Sequence, residues 1–289
     1  MKTWASLAVA ALGLVACATD PTDTTDAVDR TEAANEDLSG TATRPTGYYP
    51  SDTLPAKTAF LTFDDGPGAW TSSVLDTLKQ EDVKATFFIC SHANDKYKPA
   101  SKRGFAAYTT ELFRMVDEGH ALGNHTVHHS NLGQARHEAD VGKELDDNEL
   151  ELAHAFIAGG RKPIELKLLR APFGSPFLSG GSSIAAPAFE KRGFSVLWNV
   201  DSCDCASWVA GDWLEPVQYT SSLYYNPKTN AFRARVDSIE SRVLGAADGK
   251  GIVVLMHDIH ATTRDALPSI IRGLKDRGYQ FKTAEALAP

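Results

Sequence analysis

From Lys57 onward the chain alternates between short apolar runs and stretches of helical periodicity. The runs at 59–63, 85–89, 166–169, 194–200 and 252–256 are nearly continuous in apolar residues, as expected of strands buried on both faces of a parallel sheet. Between them Val74, Leu75 and Leu78 repeat at helical spacing, as do Leu112, Phe113 and Val116. Val141, Leu145, Leu152 and Phe156 mark a longer, acid-rich helix that Gly159 and Gly160 close. The alternation predicts an α/β fold, and no internal repeat is visible.

Residues 1–50 follow neither pattern. Lys2 is followed by an apolar stretch at 7–16, too short to cross a bilayer as a mature helix and of the length of a secretory signal. The sequence Leu14-Val15-Ala16-Cys17 resembles the end of a bacterial lipoprotein signal, which makes Cys17 the candidate for lipidation and for the mature N-terminus. The alternative is an ordinary cleaved signal with an incidental cysteine. Residues 18–50 are rich in Thr, Asp, Ala, Glu and Pro, too polar to offset their chain entropy by burial. The expected organisation is therefore a signal at 1–16, a flexible acidic tether at 17–50, and one folded domain at 51–289. The net charge is −8 with no basic run, which argues against a nucleic-acid partner.

Polar residues gather just after the predicted strands. Asp64 and Asp65 follow Phe63, Arg170 follows Leu169, Asp201 follows Val200, and His257 follows Met256. Parallel strands place such positions at one end of the sheet in a barrel and in an open doubly wound sheet alike. In Thr62-Phe63-Asp64-Asp65-Gly66-Pro67, two adjacent carboxylates after a buried strand need a cation or several hydrogen-bond donors to balance them. Taken alone, the segment is as easily a solvated turn. Gly123-Asn124-His125-Thr126-Val127-His128-His129 offers His125 and His129 four residues apart, on one face of a helix, with His128 as the other choice of second ligand. Two imidazoles and the Asp65 carboxylate would leave positions open on a divalent ion for water and substrate. Arg170 could hold Asp64 ionised, and a carboxylate beside His257 would favour its protonated form.

In this order, the segments at 62–67, 123–129, 170–174, 201–204 and 255–258 resemble the polysaccharide deacetylase family with NodB homology, also called carbohydrate esterase family four. The resemblance covers the chain from about Lys57 to Leu287 and implies a distorted barrel of about seven or eight strands. It implies Asp64 as general base, Asp65, His125 and His129 as ligands of one divalent metal, and Arg170 as the residue that orients the base. It further implies the backbone N–H of Phe173 as oxyanion donor, Leu255 as the wall of an acetyl pocket, and His257 as general acid tuned by Asp204 in preference to Asp201. Zn²⁺ is the expected ion, with Co²⁺ or Ni²⁺ as alternatives. The implied reaction is hydrolytic removal of acetyl groups from a polysaccharide by a monomeric, membrane-anchored envelope enzyme on the periplasmic face or cell surface. Peptidoglycan and chitin oligomers are the expected substrates. The alternatives are an O-acetyl esterase acting on acetylxylan or a similar glycan, and an inactive carbohydrate-binding homologue.

The chain departs from the family pattern after Asp204, where Cys205 stands in place of the usual tryptophan; Trp198 and Trp208 are candidates to replace it. The stretch at 206–235 is longer than the motifs require and carries Trp208, Trp213, Tyr219, Tyr224 and Tyr225, which could stack on sugar rings or pack among themselves. Cys90, Cys203 and Cys205 leave an odd count if Cys17 is lipidated; either Cys90 pairs with one of the other two or all three are small buried thiols.

Overall fold

A computed structural model describes residues 47–93, 103–178, 184–205 and 230–289. The signal, Cys17, most of the tether and the aromatic stretch at 206–229 lie outside the described residues, so the expectations placed on them are not addressed by the fold.

Among the described residues, eight parallel strands form one curled sheet: β1 (Thr58–Asp64), β2 (Thr86–Ile89), β3 (Ala121–Asn124), β4 (Leu168–Leu169), β5 (Phe194–Ser195), β6 (Val200–Asp201), β7 (Ile252–His257) and β8 (Gln280–Phe281). Their order is β5-β4-β3-β2-β1-β7-β6, with β8 added beside the start of β1. The helices α1 (Thr71–Gln80), α2 (Thr109–Asp117), α3 (Glu138–Ala158), α4 (Ala185–Glu190), α5 (Asn230–Ala246) and α6 (Ala261–Asp276) intervene in sequence. This is a distorted α/β barrel.

Alternation along the strands separates two cores. In β1, Ala59, Leu61 and Phe63 face the helices, in one cluster with Val74, Leu75 and Leu78 of α1 and Ile270, Ile271 and Leu274 of α6. Phe60 points into the barrel with Phe88, Leu168, Val253 and Leu255. By the same alternation Thr62 and Asp64 of β1 face inward, as does His257 at the end of β7, whose Cα pairs with that of Asp64.

The predicted strand at 194–200 is two strands on opposite edges of the sheet. Phe194–Ser195 pairs with β4 and Val200–Asp201 pairs with β7. Between them Val196, Leu197 and Trp198 fill the barrel interior, so their apolar character reports burial and not a continuous ladder. This crossing segment closes the barrel: Val196 N–H donates to Leu169 O and Asn199 N–H to Val253 O. Residues 47–50, assigned to the tether by composition, belong to the fold. Leu197 N–H donates to Gly47 O, Asn199 Nδ2 donates to Tyr49 O, and Tyr48 and Tyr49 pack on the interior cluster. The last residues of the long stretch at 206–235 are the first turns of α5.

Candidate active site

The strand ends line up. Ile89 pairs with Asn124 and Asn124 with Leu169, so the residues that follow, His125 and Arg170 among them, leave the sheet side by side next to Asp64 and Asp65.

Arg170 is wholly buried. Its Nη1 donates to Asp64 Oδ1 at 2.7 Å and to Thr62 Oγ1 at 2.7 Å, while its Nε donates to Val196 O at 2.8 Å. The guanidinium lies over the Phe88 ring at 4.0 Å, with Trp198 5.6 Å away. Trp198 therefore backs Arg170. Asp64 has one oxygen committed to Arg170 and the other, Oδ2, 3.6 Å from His125 Nε2.

Asp65 turns away from the strand with φ 70°, which sends its carboxylate toward the histidines. Gly66 must be glycine, because a Cβ there would lie 2.2 Å from a carboxylate oxygen of Asp258. His125 Nδ1 is 2.8 Å from Arg170 O; a ring nitrogen facing a carbonyl carries the proton, so Nε2 offers its lone pair to the site. That Nε2 is 3.5 Å from Asp65 Oδ1, and His129 Nε2 is 3.2 Å from the same oxygen. Burial, partly countered by Asp64, lowers the His125 pKa to about 4, so the ring is neutral near pH 7. Burial pulls Asp65 upward, but the imidazoles of His129, His257 and His125 outweigh it and hold the carboxyl at about 2.

Asp65 Oδ1 is buried without a hydrogen-bond partner among the described residues. One carboxylate and two imidazoles converge there, and their donor atoms lie within 4.8 Å of one another. An ionised carboxylate oxygen without a hydrogen-bond partner, facing two imidazoles, suits a divalent cation.

The histidines do not lie on a helix. They follow β3 in a loop where Thr126 (φ 69°) and His129 (φ 58°) are left-handed. Hydrogen bonds from Thr126 N–H to Asn124 Oδ1 and from His129 N–H to Thr126 Oγ1 shape that loop. Their convergence is a property of this turn, not of an i, i+4 helical face. His128 is exposed and hydrogen-bonds to Glu144, outside the group.

His257 and Asp204 form the second half of the site. His257 Nδ1 is 2.7 Å from Asp204 Oδ1, and Asp204 Oδ2 accepts from His257 N–H at 2.7 Å and from Thr263 Oγ1 at 2.6 Å. Burial disfavours the imidazolium, but the Asp204 carboxylate outweighs it and raises the His257 pKa well above its ordinary value. Asp201 instead accepts from Cys203 N–H in a local turn. Asp258, adjacent to His257 in sequence, turns to Thr71 Oγ1, and burial lifts its carboxyl to about 7. Leu255 faces the barrel interior. Phe173 sits at φ 59° with its ring exposed and 4.5 Å from His129. Of the two readings left open, a disulfide and three thiols, the described residues agree with thiols at Cys90, Cys203 and Cys205: Cys90 is buried with its Sγ 3.5 Å from Val127 O, Cys203 Sγ accepts from Arg242 Nη2 at 2.7 Å, and Cys205 is only partly buried.

Two supporting residues escaped the motif reading. Thr263 orients Asp204 and carries no sequence signal. Asn148 does carry one: it lies on the apolar face of α3 between Leu145 and Leu152. Its amide bonds Ile89 O, Asn124 Oδ1 and Ser91 N–H, pinning the histidine loop.

The polysaccharide deacetylase family model matches residues 51–180. A peptidoglycan-N-acetylglucosamine deacetylase of Bacillus cereus is 33% identical over 78% of this chain and 68% of its own length. A putative polysaccharide deacetylase of Bacillus subtilis, YheN, is 35% identical over 79% and 67%. Among solved structures, the polysaccharide deacetylase Bc1974 from Bacillus cereus superposes with a TM-score of 0.59 and 29% identity, covering 81% of this chain and 94% of that one. Fold, motif order and relatives agree, and the chain belongs to the polysaccharide deacetylase family.

Proposed function

We propose that the protein removes N-acetyl groups from a peptidoglycan-type or chitin-type glycan by metal-assisted hydrolysis, as an exported envelope enzyme. The observation that carries the reading is the adjacency of two half-sites: an Arg170-bound Asp64 beside the Asp65, His125 and His129 group, and an Asp204-bound His257 at the position of β7 that pairs with Asp64. The relatives named for N-acetylglucosamine favour the amide substrate.

Asp65, His125 and His129 are the residues that would hold a divalent ion, whose chemistry is to polarise an acetyl carbonyl and acidify water. Arg170 occupies Oδ1 of Asp64, so Oδ2 is the atom that takes the proton from the attacking water. Phe173 N–H, in the left-handed turn after β4, is the donor assigned to the developing oxyanion. His257, with Nδ1 committed to Asp204, delivers a proton from Nε2 to the departing amine. An inactive carbohydrate-binding role would not require base, acid and ligands to be held in this relation.

The test is acetate release by the protein from peptidoglycan, chitooligosaccharides and acetylxylan, with and without chelator, for the wild type and Asp64→Asn. The expected result is turnover of the amide substrates that chelation abolishes and that Asp64→Asn lowers by about 10²–10⁴-fold. Activity that survives chelation, or an unaffected Asp64→Asn enzyme, overturns the mechanism; turnover of acetylxylan alone overturns the substrate.

A further inference from the structure

Asp204, Cys205 and His257 bring a carboxylate oxygen, a sulfur and an imidazole nitrogen within 4.8 Å of one another. Asp204 is buried, whereas Cys205 and His257 are partly exposed, so the group can be reached from solvent. Neither Asp65, His125 nor His129 belongs to it. The donor set combines a thiol, which gives a soft thiolate, with imidazole and carboxylate, a mixture suited to Zn²⁺, Co²⁺ and Cd²⁺ and poorly suited to Mg²⁺ or Ca²⁺. Asp204 is held in place for such a role, since Thr263 Oγ1 and His257 N–H both bind its Oδ2 and fix the direction of Oδ1. Oδ1 and His257 Nδ1 are 2.7 Å apart, with one proton between them. A cation entering there displaces that proton and the thiol proton together.

We propose that Asp204, Cys205 and His257 form a second site for a thiophilic divalent cation, weaker than the Asp65, His125 and His129 group, and that its occupation inhibits the enzyme. The second site is the weaker because binding must release two protons and break an existing hydrogen bond. Inhibition follows because an imidazole nitrogen engaged with a cation, and severed from its carboxylate, no longer holds the ring protonated for the leaving group. The binding claim stands on geometry alone; the inhibition rests on the reading of His257 as general acid.

The experiment titrates the metal-stripped full chain with Co²⁺ under reducing conditions, following stoichiometry, thiolate-to-cobalt charge-transfer absorption and acetate release in parallel. The wild type is expected to bind two equivalents, the first without the charge-transfer band and activating, the second with the band and inhibiting. Cys205→Ser and Cys205→Ala, each checked for native circular dichroism, are expected to bind one equivalent without the band, and to resist inhibition to metal concentrations at least about tenfold higher. Cys203→Ala, whose sulfur is engaged by Arg242, is expected to retain the band. A wild type that binds a single equivalent, or a band that persists in both Cys205 variants, overturns the site. A Cys205-dependent band that forms without loss of activity supports the site but overturns inhibition and the acid role of His257.

Discussion

Arg170 has no contact with solvent, and its charge is tolerated there because Asp64, Thr62 and the Val196 carbonyl answer it and two aromatic rings cover its faces. Removing one member of such a pair leaves the other charge buried and alone. Arg170→Ala is therefore expected to destabilise the fold by about 3–5 kcal/mol in urea unfolding, a loss that no surface ion pair here would match. A second buried group acts through pH. His120 accepts a hydrogen bond from Ala85 N–H at Nδ1, which requires a neutral ring, and burial lowers its pKa to about 4. Between that value and its unfolded value near 6.5, the unfolded chain binds a proton that the folded chain does not, so stability rises with pH across this window. The contribution amounts to at most ~3 kcal/mol. Unfolding midpoints at pH 4.5 and pH 6.5 should differ less for His120→Gln than for the wild type, and identical differences would remove His120 from the account.

At the scale of elements, β3 shows what the apolar pattern could and could not reveal. Its sequence Ala121-Leu122-Gly123-Asn124 is no hydrophobic run, yet it lies between β2 and β4 and carries the histidine loop. Gly123 is there because a Cβ would meet the Phe88 ring at 2.5 Å, the same ring that lies against Arg170. Gly123→Ala is expected to cost about 1–3 kcal/mol by overpacking. Because the displaced ring supports the arginine behind Asp64, catalytic turnover should fall more than the KM changes; steady-state kinetics at a temperature where the variant is fully folded would check this. β1, β2 and β7 were legible because both their faces are buried, which writes a continuous apolar run. β3 was not, since one face is small to admit Phe88 and the other ends in Asn124, which bonds Leu145 O on α3. The helical reading of His125 and His129 failed for a related reason. Spacing of four fits a helix, but Asn124 and Thr126 side chains capture the backbone amides that a helix would need. Asp204 was legible only as one of two candidates, because the turn that separates it from Asp201 is made by Asp201 itself.

For the molecule as a whole, closure of the barrel depends on a segment that is not strand. Residues 196–199 cross between the two edges of the sheet, and their interior side chains support Arg170 from behind. That crossing is braced from outside the sheet by residues 47–50. Gly47 is the residue that allows the approach: its φ is 81°, and a Cβ would lie 2.5 Å from Ser195 O. Its carbonyl accepts from Leu197 N–H, and the Tyr49 carbonyl accepts from Asn199 Nδ2. A chain that begins at Ser51 loses both bonds and uncovers apolar surface that Tyr48 and Tyr49 shield. The loss amounts to about 2–4 kcal/mol, which for a domain of this size lowers the melting midpoint by about 5–15 °C relative to a chain that begins at Gly47. Calorimetry on the two chains measures it directly. Because the unbraced crossing also carries the Val196 and Leu197 carbonyls toward the Arg170 guanidinium, the shorter chain should lose activity below its melting transition, whereas equal midpoints and equal activity would mean that the crossing holds without its brace.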